Sequence, residues 1–300
     1  MQHLNWDDLK VFLAVARLES LSNAGKALRM DPATVGRRIA RLERGLSVRL
    51  FIKSPQGYAL TEAGGRLLAH ASGAERAVIG VLEETRAPEN VLSGPVRIGA
   101  PDGVANYLLP QICAGICDAN PGLEVQIVAL PRVFNLSKRE ADMAITVSPP
   151  QTGRLTVKKI ADYHLHLAAS RAYLDSHAPI VTRADLSAHR MIGYIPDMIF
   201  DSELDYMDEA GEGAQVRLMS NSVSVQINWA RIGAGVCIAH DFAIPAYPEL
   251  CRILTHEVSL RRAFYLIRHA DDRQVARLNR FADLLSAALR SEIRRLEALA

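Results

Sequence analysis

The 300-residue chain has no apolar run approaching the roughly 20 residues that a bilayer span requires. Its opening, MQHLNWDDLK, lacks the basic, then apolar, then small-residue order of a secretory signal, so cytoplasmic residence is expected and a membrane partner is not. Cysteine is scarce, and four in 300 residues exclude a disulfide framework. Cys113 and Cys117 have the spacing of one helix face, but no further Cys/His pair at zinc spacing accompanies them, and they are read as packed thiols. The motifs of common catalysts are missing too: there is no G-x-S-x-G elbow, no G-x-x-x-x-G-K phosphate loop and no H-E-x-x-H. Gly233-Ala234-Gly235 lacks the third small residue of a dinucleotide fingerprint, Ile238 standing in its place. His164 and His166 alternate on one strand face without a third ligand in view, short of a metal site. No enzyme, cofactor or metal is expected.

Net charge is also small, +2 in all, but it is unevenly spread. Residues 1–87 hold 13 Lys/Arg against 9 Asp/Glu, and within 20–66 the balance is 9 against 3. A phosphate-binding surface requires such a concentration, because counterion release drives much of the affinity for nucleic acid.

The same stretch carries a pattern. Asn5 and Asp8 open a helix whose apolar face, Leu9, Phe12, Leu13, Val15 and Ala16, runs to about Glu19. Ser22 is read as the cap of a second helix, and Asp31, followed by Pro32, as the cap of a third. On the third, Val35, Ile39 and Leu42 form an apolar stripe, with Thr34, Arg37, Arg38, Arg41 and Arg44 on or beside the wet face. Three helices in about 45 residues with short connections predict a helix-turn-helix. Val48 to Leu60, broken by Ser54-Pro55-Gln56-Gly57, predicts a β-hairpin wing with Arg49 and Lys53 placed for phosphates.

A helix over 61–87 follows, capped by Thr61. Leu67, Ala71, Ala74, Val78 and Val81 step along it in a heptad-like seam, read as a dimer contact with a second copy. APENVLSG is a hinge signal, placed at 88–93. Beyond it, strands and helices alternate, which implies βαβ units around parallel sheet. So many units in about 200 residues predict two α/β lobes, with the chain crossing between them near Asp162 and Arg268.

These residues resemble the LysR-type transcriptional regulators. The likeness rests on Leu9 to Ala16, Leu21 to Leu28, Thr34 to Glu43, Arg49-Leu50-Phe51 and Leu60 to Gly64. Gly94 to Gly99, Leu108-Leu109-Pro110, Asn120-Pro121-Gly122 and Gly233 to Val236 extend it downstream. The resemblance implies an α/β chain of three parts: an all-α winged helix-turn-helix (1–60), a linker helix (61–87), and a two-lobed periplasmic-binding-protein-like effector domain (94–300). The lobes are expected at about 94–162 with 268–300, and at 163–267. It further implies a dimer or tetramer that binds double-stranded DNA under control of a small-molecule effector, with RNA polymerase as a further candidate partner. The alternative is a ligand-binding module or enzyme carrying an accessory DNA-binding domain.

Two departures bear on DNA reading. The family usually carries Ser-Gln at the start of the reading helix and Ser one turn on; here Asp31, Pro32 and Gly36 stand at these positions. Pro32 cannot make the bidentate adenine contact open to Gln. Base contacts then fall to Ala33, Thr34, Arg37, Arg38 and Arg41, with Ser22, Asp31, Arg49 and Lys53 completing the expected DNA set. Gly36 is read as allowing close approach to a sugar or phosphate.

Ligands of such lobes sit where strands end and helices begin. That rule selects Ala100, Asp102, Gly103, Arg132, Thr146, Ser148, Tyr194, Asn221 and Ser222. Arg132 and the Ser-Asn-Ser helix start favour a carboxylate, while Asp102 repels one, and a zwitterion reconciles them.

Overall fold

A computed structural model describes residues 5–54, 57–84, 92–129, 141–150, 153–207 and 215–300. They form two compact units, one within the first 87 residues and one from Pro88 onward. No helix among the described residues is long and apolar enough to cross a membrane.

In the first unit, α1 (Trp6–Leu18), α2 (Leu21–Leu28) and α3 (Pro32–Leu46) pack around Phe12, Leu13, Val15, Val35 and Ile39, all buried. Each helix has a side-chain cap: the Asn5 side chain accepts from Asp7 N–H at 2.8 Å, Ser20 Oγ from Asn23 N–H at 3.3 Å and Asp31 from Ala33 N–H at 2.8 Å. The cap of α2 is therefore Ser20, and Ser22, expected in that role, lies exposed inside the helix. The turn into α3 is possible because position 25 is glycine: a Cβ there would meet the Met30 carbonyl oxygen at 2.6 Å. Strands β1 (Phe51–Ser54) and β2 (Gly57–Leu60) pair antiparallel as the wing. The helix α4 (Glu62–Glu84) starts with Thr61 Oγ accepting from Gly64 N–H at 3.0 Å.

The second unit contains β3 (Ser93–Ala100), α5 (Asp102–Tyr107), α6 (Leu109–Asp118), β4 (Gly122–Ala129), β5 (Met143–Thr146), β6 (Leu155–Ser170) and α7 (Arg171–Ser176). It continues with β7 (Met191–Gly193), β8 (Val216–Met219), α8 (Val223–Arg231), β9 (Val236–His240), β10 (Leu250–Ile253), β11 (Leu260–His269) and α9 (Ala276–Glu297). Strands run in the order β4-β3-β5-β11-β6-β9-β7-β8, with β10 also on β6. At one end β3 is parallel to β4 and β5; at the other β7 is parallel to β8 and β9. The long antiparallel pair β6–β11 joins these two parallel groups into the two expected lobes.

The first part of β6 faces Tyr265 to His269, and the second reaches β9 and β10. The register irregularity in β11 lies between Phe264 and Tyr265, whereas Arg268 pairs with Met143 and Thr156, well inside the first lobe. The strand begins at Leu260 and pairs with β6 along its length.

Candidate DNA interface and effector pocket

The apolar stripe of α3 is buried on α1 and α2, which leaves Ala33, Arg37, Arg41 and Arg44 as an exposed line along the helix. Thr34 is half-buried beside it, and Arg37 donates to Thr34 Oγ at 2.9 Å, one turn apart. Arg38 is half-buried, with its guanidinium 3.9 Å from both Asp7 and Asp8.

Arg41 is held more firmly. Its Nε donates to Asp8 at 2.6 Å, a second bond runs from the same guanidinium, and Asp8 is only 2 % exposed. The hydrogen bond to Asp8 raises the Arg41 pKa further above its ordinary value. Arg41 thereby fixes α3 on α1, a role its place on the wet face did not reveal. Gly36 likewise turns inward: a Cβ there would lie 3.4 Å from Leu21 Cδ1 of α2, so the missing side chain faces the protein's own helix rather than a nucleic acid backbone.

On the wing, Lys53 is exposed, and the Arg49 side chain is 85 % exposed and 3.4 Å from Glu43. Glu43 also accepts from Leu50 N–H at 2.7 Å, tying the wing to the end of α3. Asp31 is exposed and occupied as the cap of α3.

The seam of α4 divides. Ala71 is 3 % exposed and belongs to the core of its own unit, with Leu67 packed against it, so these two expected dimer positions are taken by intramolecular contacts. An Arg17–Glu75 ion pair at 2.6 Å reinforces that packing. Ala74 is exposed and Val78 is 45 % exposed, whereas the side chain of Val81 lies outside the described residues.

In the second unit a small, partly open cavity lies where β3 and β9 end and α8 begins. Asp102, Gly103, Tyr194 and Asn221 line it, as expected from strand ends. Ser222 acts at its edge: its hydroxyl donates to Asp102 at 3.0 Å and caps α8 by accepting from Val225 N–H. Ala100 is wholly buried, and its neighbour Pro101 reaches the cavity instead.

Thr146 and Ser148 also miss the cavity. Thr146 Oγ donates to the Ser148 carbonyl at 2.7 Å, Ser148 Oγ donates to Asp201, and Val147 between them is the lining residue. Arg132 lies outside the described residues. Most of the wall is apolar, from Val104, Phe200, Leu204, Val223 and Phe264.

His240 completes the wall, and sequence reading missed it. The ring is 5 % exposed, stacked at 5.3 Å on Tyr163, and its Nδ1 has no hydrogen-bond partner among the described residues. Burial pushes its pKa down to about 4, so the imidazole is neutral at pH 7. The position was accessible to the strand-end rule, since His240 is the last residue of β9.

Residues 6–65 match the profile described as "Bacterial regulatory helix-turn-helix protein, lysR family", and residues 89–290 match "LysR substrate binding domain". The chain belongs to the LysR-type transcriptional regulators. The Mau operon transcriptional activator of Paracoccus denitrificans is 25% identical to this regulator over 291 residues, 95% of this chain and 98% of the relative. The HTH-type transcriptional regulator PtxR of Pseudomonas aeruginosa is 24% identical over 249 residues, 81% and 79% of the two chains. Among solved structures, a full-length OxyR variant from Pseudomonas aeruginosa has a TM-score of 0.72 at 19% identity, covering 96% of this chain and 98% of that one. ArgP from Mycobacterium tuberculosis has a TM-score of 0.70 at 19% identity, with the same coverage. As a LysR-type regulator the chain joins a helix-turn-helix DNA-binding part to an effector-binding domain.

Proposed function

We propose that this LysR-type regulator reads DNA with the exposed line of α3 and senses a small molecule in the cavity between β3, β9 and α8. Ala33, Thr34, Arg37 and Arg38 meet base edges, with the guanidinium groups directed to guanine. Arg49 and Lys53 meet backbone phosphates from the wing. Arg41 orients the helix through Asp8. The exposed part of α4, around Ala74 and Val78, pairs with a second copy and so sets two reading helices on one duplex. The protein works in the cytoplasm and performs no chemistry on its ligand. Differential affinity of the ligand for two arrangements of the oligomer supplies the switch.

The observation that carries this reading is the exposed line Ala33, Arg37, Arg41 and Arg44, on a helix whose opposite stripe is buried in the domain core. Selection of bound sequences from a randomised duplex pool tests it. The wild-type chain should enrich a motif of two half-sites, and Arg37→Ala should relax one position in each. Enrichment of no motif, or an unchanged motif with Arg37→Ala, counts against the assignment.

A further inference from the structure

The N-terminus of α8 is where an anionic ligand would find donors, and it is already occupied by the chain's own carboxylate. Asp102 Oδ2 accepts from Ser224 N–H at 2.8 Å, from Ser224 Oγ at 2.9 Å and from Ser222 Oγ at 3.0 Å. Its other oxygen accepts from Asn106 Nδ2 at 3.0 Å. The two ends of this clasp come from different lobes, since Asp102 follows β3 while the serines open α8. The favourable field of the helix start and the Ser224 N–H are thus spent inside the molecule.

Asp102 is also the one charged residue among the described residues that line the cavity. A ligand carboxylate entering the cavity would meet a like charge, and no cation among the described lining residues offsets it. An amine would find Asp102 already supplied with four hydrogen bonds. The unmet need lies elsewhere, at His240. Its Nδ1 is buried and unpartnered among the described residues, which native interiors rarely tolerate. Glycine at 103 gives the ring room, since a Cβ there would sit 3.2 Å from His240 Cε1, closer than ordinary contact. A neutral imidazole offers one donor and one acceptor and no net charge.

We infer that the cavity takes an uncharged, predominantly apolar molecule, joined to His240 Nδ1 by a single hydrogen bond, with Asp102 standing in for the carboxylate of an anionic effector. This inference rests on the reading of the cavity as the effector site. It narrows the effector class, and it differs from the carboxylate or zwitterion expected from the sequence.

Benzyl alcohol, benzoate and benzylamine differ in charge and little in shape, and their binding to the full-length chain can be ranked by calorimetry or saturation-transfer NMR. For the wild-type protein, benzyl alcohol should bind at least tenfold more tightly than either ion, and His240→Phe should weaken it at least tenfold. Asp102→Ser vacates the start of α8 and should strengthen benzoate binding at least tenfold, a gain that misfolding cannot produce. The inference is overturned if benzoate or benzylamine binds the wild type as well as the alcohol does, if Asp102→Ser leaves the ranking unchanged, or if none of the three binds. DNA binding by the same wild-type preparation without any probe tests the regulator reading separately, so either can fail while the other stands.

Discussion

Asp8 and Arg41 form a two-bond clamp between the first turn of α1 and the middle of the reading helix, with the carboxylate buried and the guanidinium at the surface. Removing the arginine leaves the buried charge with only Arg38, 3.9 Å away, to offset it, whereas Asp8→Asn removes the charge itself. Arg41→Ala should therefore lower the unfolding temperature of the full-length chain more than Asp8→Asn, and combining the two should cost less than the sum. Calorimetric melting of the three variants checks this. Strict additivity would show that the pair does not couple α1 to α3.

Glycines 25 and 36 should behave oppositely. A side chain at Gly25 collides with backbone, so Gly25→Ala should cost on the order of 2–4 kcal/mol. Gly36→Ser meets only the tip of Leu21 and trades glycine for a better helix former, so stability should change by less than about 1 kcal/mol. Urea unfolding of both variants provides the comparison.

Along α4, position should decide between unfolding and dissociation. Ala71→Glu buries a charge in the core of its own unit and should destabilise that unit. Val78→Glu is exposed within one chain and should leave the melting of a single chain unchanged while shifting sedimentation toward monomer. A Val78→Glu protein that sediments like the wild type would remove α4 from the dimer contact.

Acidification should weaken the effector domain through His240. Its folded-state pKa is about 4 against an ordinary 6.5, so the unfolded chain binds more protons in between. Stability contributed by neutral His240 is complete above about pH 6.5 and is lost progressively as pH falls toward 4. The loss is on the order of 3 kcal/mol, at about 1.4 kcal/mol per unit. Burial also lowers the pKa of His189, which acts in the same direction. Unfolding curves between pH 4 and 7 should become shallower in their pH dependence when His240 is replaced by Phe.

The thiols should resist oxidants. Burial pushes Cys113 and Cys237 up to about 12, leaving almost no thiolate at pH 7. Under native conditions iodoacetamide should label the partly exposed Cys117 and Cys251 first, read by mass spectrometry, with Cys113 and Cys237 protected until the chain unfolds. Peroxide treatment should leave DNA affinity unchanged.

Much of this architecture was legible because it rests on local chemistry. Asp31-Pro32 announces the start of α3, Val35, Ile39 and Leu42 mark its buried side, and Ser222 caps α8, all from contacts within a few residues. What escaped depends on distant partners. Nothing near Arg41 in sequence shows that Asp8 will claim it, and nothing near Asp102 names Ser224. Leu67 and Ala71 obey the same heptad step as Val78, and only the packing of α1 separates them. The second half of β6 was expected, but its first half, with exposed Lys158 and Lys159, lacks the apolar run that signals a strand; its pairing with β11 supplies the order instead.

The shared strands β6 and β11 have a mechanical consequence. Both lobes hang on one hydrogen-bonded ribbon, so they cannot part like two domains on a flexible tether; the soft motion left to them is a twist about that ribbon. Its weakest place is the register irregularity at Phe264 and Tyr265, and Phe264 is itself a wall of the cavity. A molecule filling the cavity would therefore touch the ribbon at the place where its pairing shifts.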